Sequence, residues 1–153
     1  MNNQNIDLDS TIREIKKDFF SFRNGMVAES LKNLYSKNKI IFGLTVPQFM
    51  ELSKKYPKDL KLGLKLWDDN TSRESRLFAL YIIPHSELSY ESASDMILSV
   101  ESFEEGEFLA FRLLRFLPFS KELLDDLTNR DIKDVNHSHC IEMFRKNLSI
   151  QSV

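Results

Sequence analysis

Residues 42–84, FGLTVPQFMELSKKYPKDLKLGLKLWDDNTSRESRLFALYIIP, constrain the fold more than any other part of the chain. Thr45-Val46-Pro47-Gln48 is a helix start. Thr45 caps, Pro47 sits where first-turn N–H groups lack intrahelical partners, and Gln48 reaches back. Phe49, Leu52 and Tyr56 line one face as far as Pro57. Asp59 caps a second short helix, with Leu60, Leu64 and Trp67 on one side and Leu62 and Leu66 on another. Asp68-Asp69-Asn70 ends it. Ser72 opens a third helix through Leu77, Leu80, Tyr81 and Ile83, stopped by Pro84. Isolated helices this short are not stable in water, so each must bury its apolar face on the next.

The same spacing extends over the rest of the chain. After a frayed tail at residues 1–8, Thr11 and Glu14 form a capping box ahead of Ile12, Ile15, Phe19 and Phe22, and Asn24-Gly25 stops that helix. A second helix is predicted over 26–36, with Val27, Leu31, Leu34 and Tyr35 inward. Residues 37–44 read as a buried connector ending at Gly43, although a brief strand has the same pattern. Ser89 opens a helix that buries Ala93, Met96, Ile97 and Val100. The segment 103–117 is apolar on nearly all sides after Glu107, which marks a central helix. A further helix covers 120–127, and Asp131 caps the last, carrying Ile132, Val135, Ile141, Met143 and Phe144.

This pattern is all-α, and the four Gly and four Pro of the chain are too few for a turn-rich β fold. Helix pairs recurring every 35–45 residues or so fit a HEAT-like α-solenoid of stacked antiparallel helix pairs. It is expected as a single domain over 9–153, with a compact irregular bundle as the alternative.

The single cysteine, Cys140, excludes an internal disulfide, and no apolar run approaches the roughly 20 residues needed to span a bilayer. The polar start MNNQNIDLDS lacks the form of a signal peptide. A soluble cytoplasmic protein is the expectation. Charge is uneven: residues 1–76 hold 14 Lys and Arg against 10 Asp and Glu, whereas residues 77–153 hold 7 against 13. A pI near 5.9 argues against a dedicated duplex-DNA binder but leaves a local basic patch open.

Several residues in order carry a family resemblance: Asn24-Gly25, Tyr35, Phe42-Gly43 with Val46-Pro47, Leu66-Trp67, Glu74 and Arg76 with Ala79, then Glu104 and Glu107 before Leu117-Pro118. Together they resemble the DNA alkylation repair family, and especially a shorter branch of it, over about residues 10–150. The resemblance implies a HEAT-like fold, and its active members are bacterial glycosylases that excise alkylated purines. Those members share a Trp and an Asp four residues apart on the helix facing DNA. A carboxylate there stabilises the oxocarbenium-like state, and an aromatic face attracts the charged base. The matching positions here are Phe103 and Glu107 as the catalytic pair. The same resemblance places His137 where an Arg meets phosphate, and Arg76, Arg112 and Arg145 are the other candidate DNA contacts. Met50 stands where a basic residue is common, and the sequence ends at Val153, before the position of the last helices of active members.

Other residues admit plainer readings. His137 and Cys140 share a helix face while His139 points elsewhere, and two ligands fall short of a structural zinc site, so no metal and no cofactor are expected. Glu101, Glu104, Glu105 and Glu107 suit a helix start, where carboxylates favour the N-terminal dipole. Trp67, at core spacing, fits packing better than base stacking. Glu74 and Arg76, two apart, cannot pair with each other on a helix. Lys54, Lys55, Lys58, Lys61 and Lys65 fit a solvated convex face or a nucleic-acid patch. The departures at Phe103, Glu107 and His137 favour a non-catalytic module that binds DNA or a protein through a concave face. Glycosylase activity on 3-methyladenine or 7-methylguanine is the alternative.

Overall fold

The computed structural model describes residues 7–151, and its regular secondary structure is helical throughout. Residues 1–6 of the expected tail, and Val153, lie outside the described residues. The chain forms two compact units that divide between Ile82 and Ile83. Because residues 77–82 carry no charge, the charge split follows this division: the first unit holds the basic excess and the second the acidic one.

The first unit contains α1 (Leu8–Ser21), α2 (Gly25–Leu31), a 3-10 turn (Lys32–Leu34), α3 (Val46–Ser53), α4 (Leu60–Asp68) and α5 (Arg73–Ile82). Its core is aromatic. Phe78 of α5 meets Phe19 of α1 edge-on at 5.6 Å, Tyr56 edge-on at 6.1 Å and Phe49 of α3 at 6.4 Å. Edge-on aromatic contacts add to the area they bury, which helps a set of short helices hold together. The expected starts of α3 and α4 are present: Thr45 and Gln48 form a capping box, and Asp59 accepts the N–H of Leu62 at 2.8 Å. Trp67 is core, as its spacing predicts.

Three expectations for this unit are corrected. Asp7, not the Thr11 box, caps α1 by accepting the N–H of Ser10, so the helix begins one turn earlier. The helix expected over 26–36 ends at Leu31 and tightens into the 3-10 turn. It buries none of its residues, and Leu34 is exposed. Residues 37–44 are a connector with one isolated parallel bridge, Ile40 to Ser72, and Ile40 faces solvent while Leu44 is buried.

Polar groups fasten that connector. Glu74, wholly buried in the first turn of α5, accepts N–H groups from Phe42 (2.8 Å), Gly43 (3.2 Å) and Leu44 (3.4 Å). Arg73 donates to the Leu44 carbonyl at 3.0 Å. The N–H of Asn24 donates to the Phe42 carbonyl at 2.7 Å, and the Asn24 side chain caps α2. Gly43 sits at φ +86°, and a Cβ there would lie 2.4 Å from the Asn24 carbonyl oxygen, so only glycine fits.

The second unit contains α6 (Tyr90–Ile97), α7 (Phe103–Arg112), a 3-10 turn (Leu114–Phe116), α8 (Ser120–Thr128) and α9 (Val135–Gln151). The helix expected over 103–117 breaks at Leu113, which leaves helical geometry at φ −128°, ψ −60°. The Ser120 hydroxyl lies 2.5 and 2.7 Å from the Leu114 and Leu117 carbonyls and fastens the start of α8 to the 3-10 turn that follows the break. Asp134, not Asp131, starts α9: its carboxylate accepts the N–H groups of Asn136 and His137. Among the described residues no helix is long and apolar enough to cross a membrane.

Candidate functional site

The site begins with how closely α7 approaches α9. Ser102 caps α7 by accepting the Glu105 N–H at 3.1 Å, and buried Glu105 accepts the Glu101 N–H at 3.3 Å. This part of the acidic run therefore serves the helix start. One residue on, Gly106 lies against Cys140 of α9, and a Cβ at Gly106 would fall 2.9 Å from the Cys140 Cβ. A residue without a side chain lets the two backbones come this near.

That approach brings three side chains together. Phe103 and Glu107, one turn apart, lie on one face of α7. The Phe103 ring stacks on the His139 imidazole with centroids 4.0 Å apart and planes within 13°. The Nε2 of His139 lies 2.9 Å from Oε1 of Glu107, placed to donate to the carboxylate. The Glu107 side chain is 51% exposed and that of His139 22% exposed. The pair lies at the surface, and the imidazole already occupies one face of the aromatic ring.

Of the six residues singled out from the sequence, Phe103 and Glu107 are thus brought together, and their partner is His139, which the helical spacing sets apart from His137 and Cys140. His139 adjoins the buried face of α9 that Cys140, Ile141 and Phe144 define. A histidine at the edge of an apolar stripe was the available signal. Nothing in the sequence told which of two histidines would meet α7.

The remaining candidates are placed elsewhere. His137 turns to Asp134, with Nε2 3.7 Å from its carboxylate. The backbone N–H of His137 and the charge of its ring hold the Asp134 carboxyl below the usual carboxylate range, against its desolvation. Arg145 pairs with Glu142 and donates to Thr128 of α8 at 3.0 Å. Arg112 is half-buried at the end of α7, and its carbonyl lies 3.1 Å from Nε2 of His85.

Arg76 belongs to the first unit and is buried. Its guanidinium stands 4.7 Å from the centre of the Trp67 ring, and Nε donates to the Trp67 carbonyl at 3.0 Å. It is not presented to a phosphate. Three of the five lysines meet carboxylates at the surface: Lys54 with Glu51, Lys55 with Asp18, and Lys65 with Asp9.

Among the described residues no group of three or more His, Cys, Asp or Glu is arranged to hold a metal ion. Burial pushes the Cys140 thiol up to about 12, which leaves it protonated and a poor ligand near neutral pH. Compared with known proteins, no family model matches the chain, nor does any curated protein or solved structure.

Proposed function

We propose that the chain is a non-catalytic HEAT-like binding module, similar to the DNA alkylation repair proteins, whose α7–α9 face takes up a protein partner. The observation that carries this reading is the capture of Phe103 and Glu107 by His139. A carboxylate that stabilises a developing positive charge must be aimed at the reacting sugar, within a fraction of an ångström of its productive place. Here Glu107 is hydrogen-bonded to an imidazole, and that imidazole covers a face of the ring that would meet the base. The acidic excess of the second unit also disfavours a polyanion there. A HEAT-like stacking of the helices, with a concave binding face, is part of this proposal.

The alternative is a glycosylase for alkylated purines. It is favoured by one observation: Phe103 and Glu107 do share an exposed face, one turn apart. Measuring release of 3-methyladenine and 7-methylguanine from alkylated duplex separates the two readings. The binding-module reading expects release at the background rate, unchanged by Glu107→Ala. Release above background that disappears in Glu107→Ala would establish the enzyme instead. A fluorescence anisotropy titration with duplex at low salt tests plain DNA binding, and a flat titration is the outcome expected for a protein-binding face.

A further inference from the structure

The first unit carries a second surface, which the α7–α9 face does not explain. Two adjoining depressions of about 760 and 560 Å³ share Gly25, Ala28 and Ile41 in their linings. Both volumes are large enough to seat several side chains. A Cβ built on Gly25 meets nothing within 4 Å, so the trough is open there. Phe20 and Ile40 contribute apolar wall and are 56% and 52% exposed.

The connector along this trough has an unused edge. The Ile40 N–H donates to the Thr71 carbonyl at 3.0 Å, and the Ile40 carbonyl accepts the Arg73 N–H at 2.9 Å. In extended chain, the hydrogen-bonding groups of successive residues point to opposite edges. The N–H and C=O of Ile41 have no partner among the described residues, and Ile41 lines both depressions. An unpaired donor and acceptor on one residue, next to a bridged one, are a template for another strand.

Charge completes the description. Arg23, Lys32 and Lys37 line the trough against a single carboxylate, Glu29. Glu29 reaches Lys32 only at 3.9 Å, and Lys37 has no carboxylate within ion-pair distance among the described residues.

We propose that this trough binds an extended acidic–apolar peptide segment of a partner protein, which pairs with the backbone of Ile41. Alternate side chains of such a segment point to opposite sides. Its apolar set rests on Phe20 and Ile40, and its carboxylates meet Arg23, Lys32 and Lys37. A peptide fits better than the other polyanions for one reason. It both donates to the Ile41 carbonyl and accepts from its N–H, whereas phosphate groups of nucleic acid or lipid only accept.

The test is a fluorescence anisotropy titration of the full chain with a labelled peptide alternating Glu with Val and Leu. The comparison set is its Lys-for-Glu counterpart and two versions N-methylated at alternate residues, one for each edge. Labelled duplex DNA and phosphatidylserine vesicles complete it. The acidic peptide is expected to bind. The double variant Lys32→Glu/Lys37→Glu, both at exposed positions, weakens it about tenfold or more with an unchanged circular dichroism spectrum. One of the two N-methylated versions is expected to lose a similar factor against the unaltered chain, a readout that requires no variant to fold. No binding, equal binding of the lysine counterpart, or equal binding of both N-methylated versions overturns the proposal. Binding of duplex or vesicles without the peptide also overturns it, in favour of that polyanion.

Discussion

Arg73 and Glu74 are consecutive in the sequence, and in the first turn of α5 their charged groups meet at 2.5 Å while holding one residue, Leu44, by both ends. Arg73 donates to the Leu44 carbonyl and Glu74 accepts its N–H. Adjacent residues on a helix diverge by about 100°. It is their length and their common target that bring these two together. Both are buried, so their charges meet away from water. Glu74→Ala is expected to cost about 3–5 kcal/mol, because it breaks a buried ion pair and leaves three N–H groups without their acceptor. Urea unfolding measures it. A cost below about 1 kcal/mol would show that the connector is held by something else.

Gly106→Ala is expected to destabilise the chain by roughly 1–3 kcal/mol, since the new methyl group overlaps Cys140. The nearest atoms are the Cβ (2.9 Å), Cα (3.2 Å) and N (3.5 Å) of Cys140, all of which an alanine retains. The double variant Gly106→Ala/Cys140→Ala therefore gains back little of the loss. Full recovery in a thermal melt would mean that the sulfur, and not the backbone approach, sets the helix spacing.

Asp69 supplies a pH-dependent contribution in the acid range. Burial raises its pKa, but Lys16 at 2.8 Å and the Thr71 hydroxyl and N–H outweigh this and hold it below the ordinary value. A depressed carboxyl contributes stability that is present above its unfolded pKa of about 3.9 and is lost as pH falls through the folded one. The melting temperature of the native chain should thus exceed that of Asp69→Asn at neutral pH, with the gap closing below about pH 4. A gap independent of pH would assign the effect to the lost hydrogen bonds alone.

The buried thiol of Cys140 gives the opposite sign. Its folded pKa of about 12 lies well above the roughly 8.5 of an unfolded cysteine. Above pH 8.5 or so the unfolded state ionises first, and stability falls as pH rises towards the folded value. Labelling of Cys140 by a thiol reagent at mildly alkaline pH should proceed at the rate of unfolding, with the burst absent until denaturant is added. Immediate stoichiometric labelling of the folded chain would contradict the burial.

Local chemistry decided what could be foreseen. The α3 and α4 starts were legible because Thr45, Gln48 and Asp59 cap within their own turn. The α9 start was not. Asp131 and Asp134 offer the same pattern, and the choice rests on which carboxylate reaches two N–H groups. The continuation of α7 past Leu113 was equally invisible. Its apolar residues keep helical spacing through the break, and Phe111 and Phe116 end up at the surface with the Arg115 guanidinium 4.1 and 4.4 Å from their rings. At the candidate site the sequence supplied Phe103 and Glu107 but not His139, because which histidine meets them is a property of tertiary packing.

All ten residues of α5 are buried, from Arg73 to Ile82, the charged first turn included. An ordinary helix has an outward face on which substitutions accumulate without penalty. This one has none, so almost every change along it must be answered by a change in a neighbour. A saturation library should therefore show α5 as the least tolerant stretch of the chain. The polar turn Arg73–Arg76 should be as intolerant as the apolar residues that follow, and the helix as a whole would hold its identity longest as the surrounding sequence drifts.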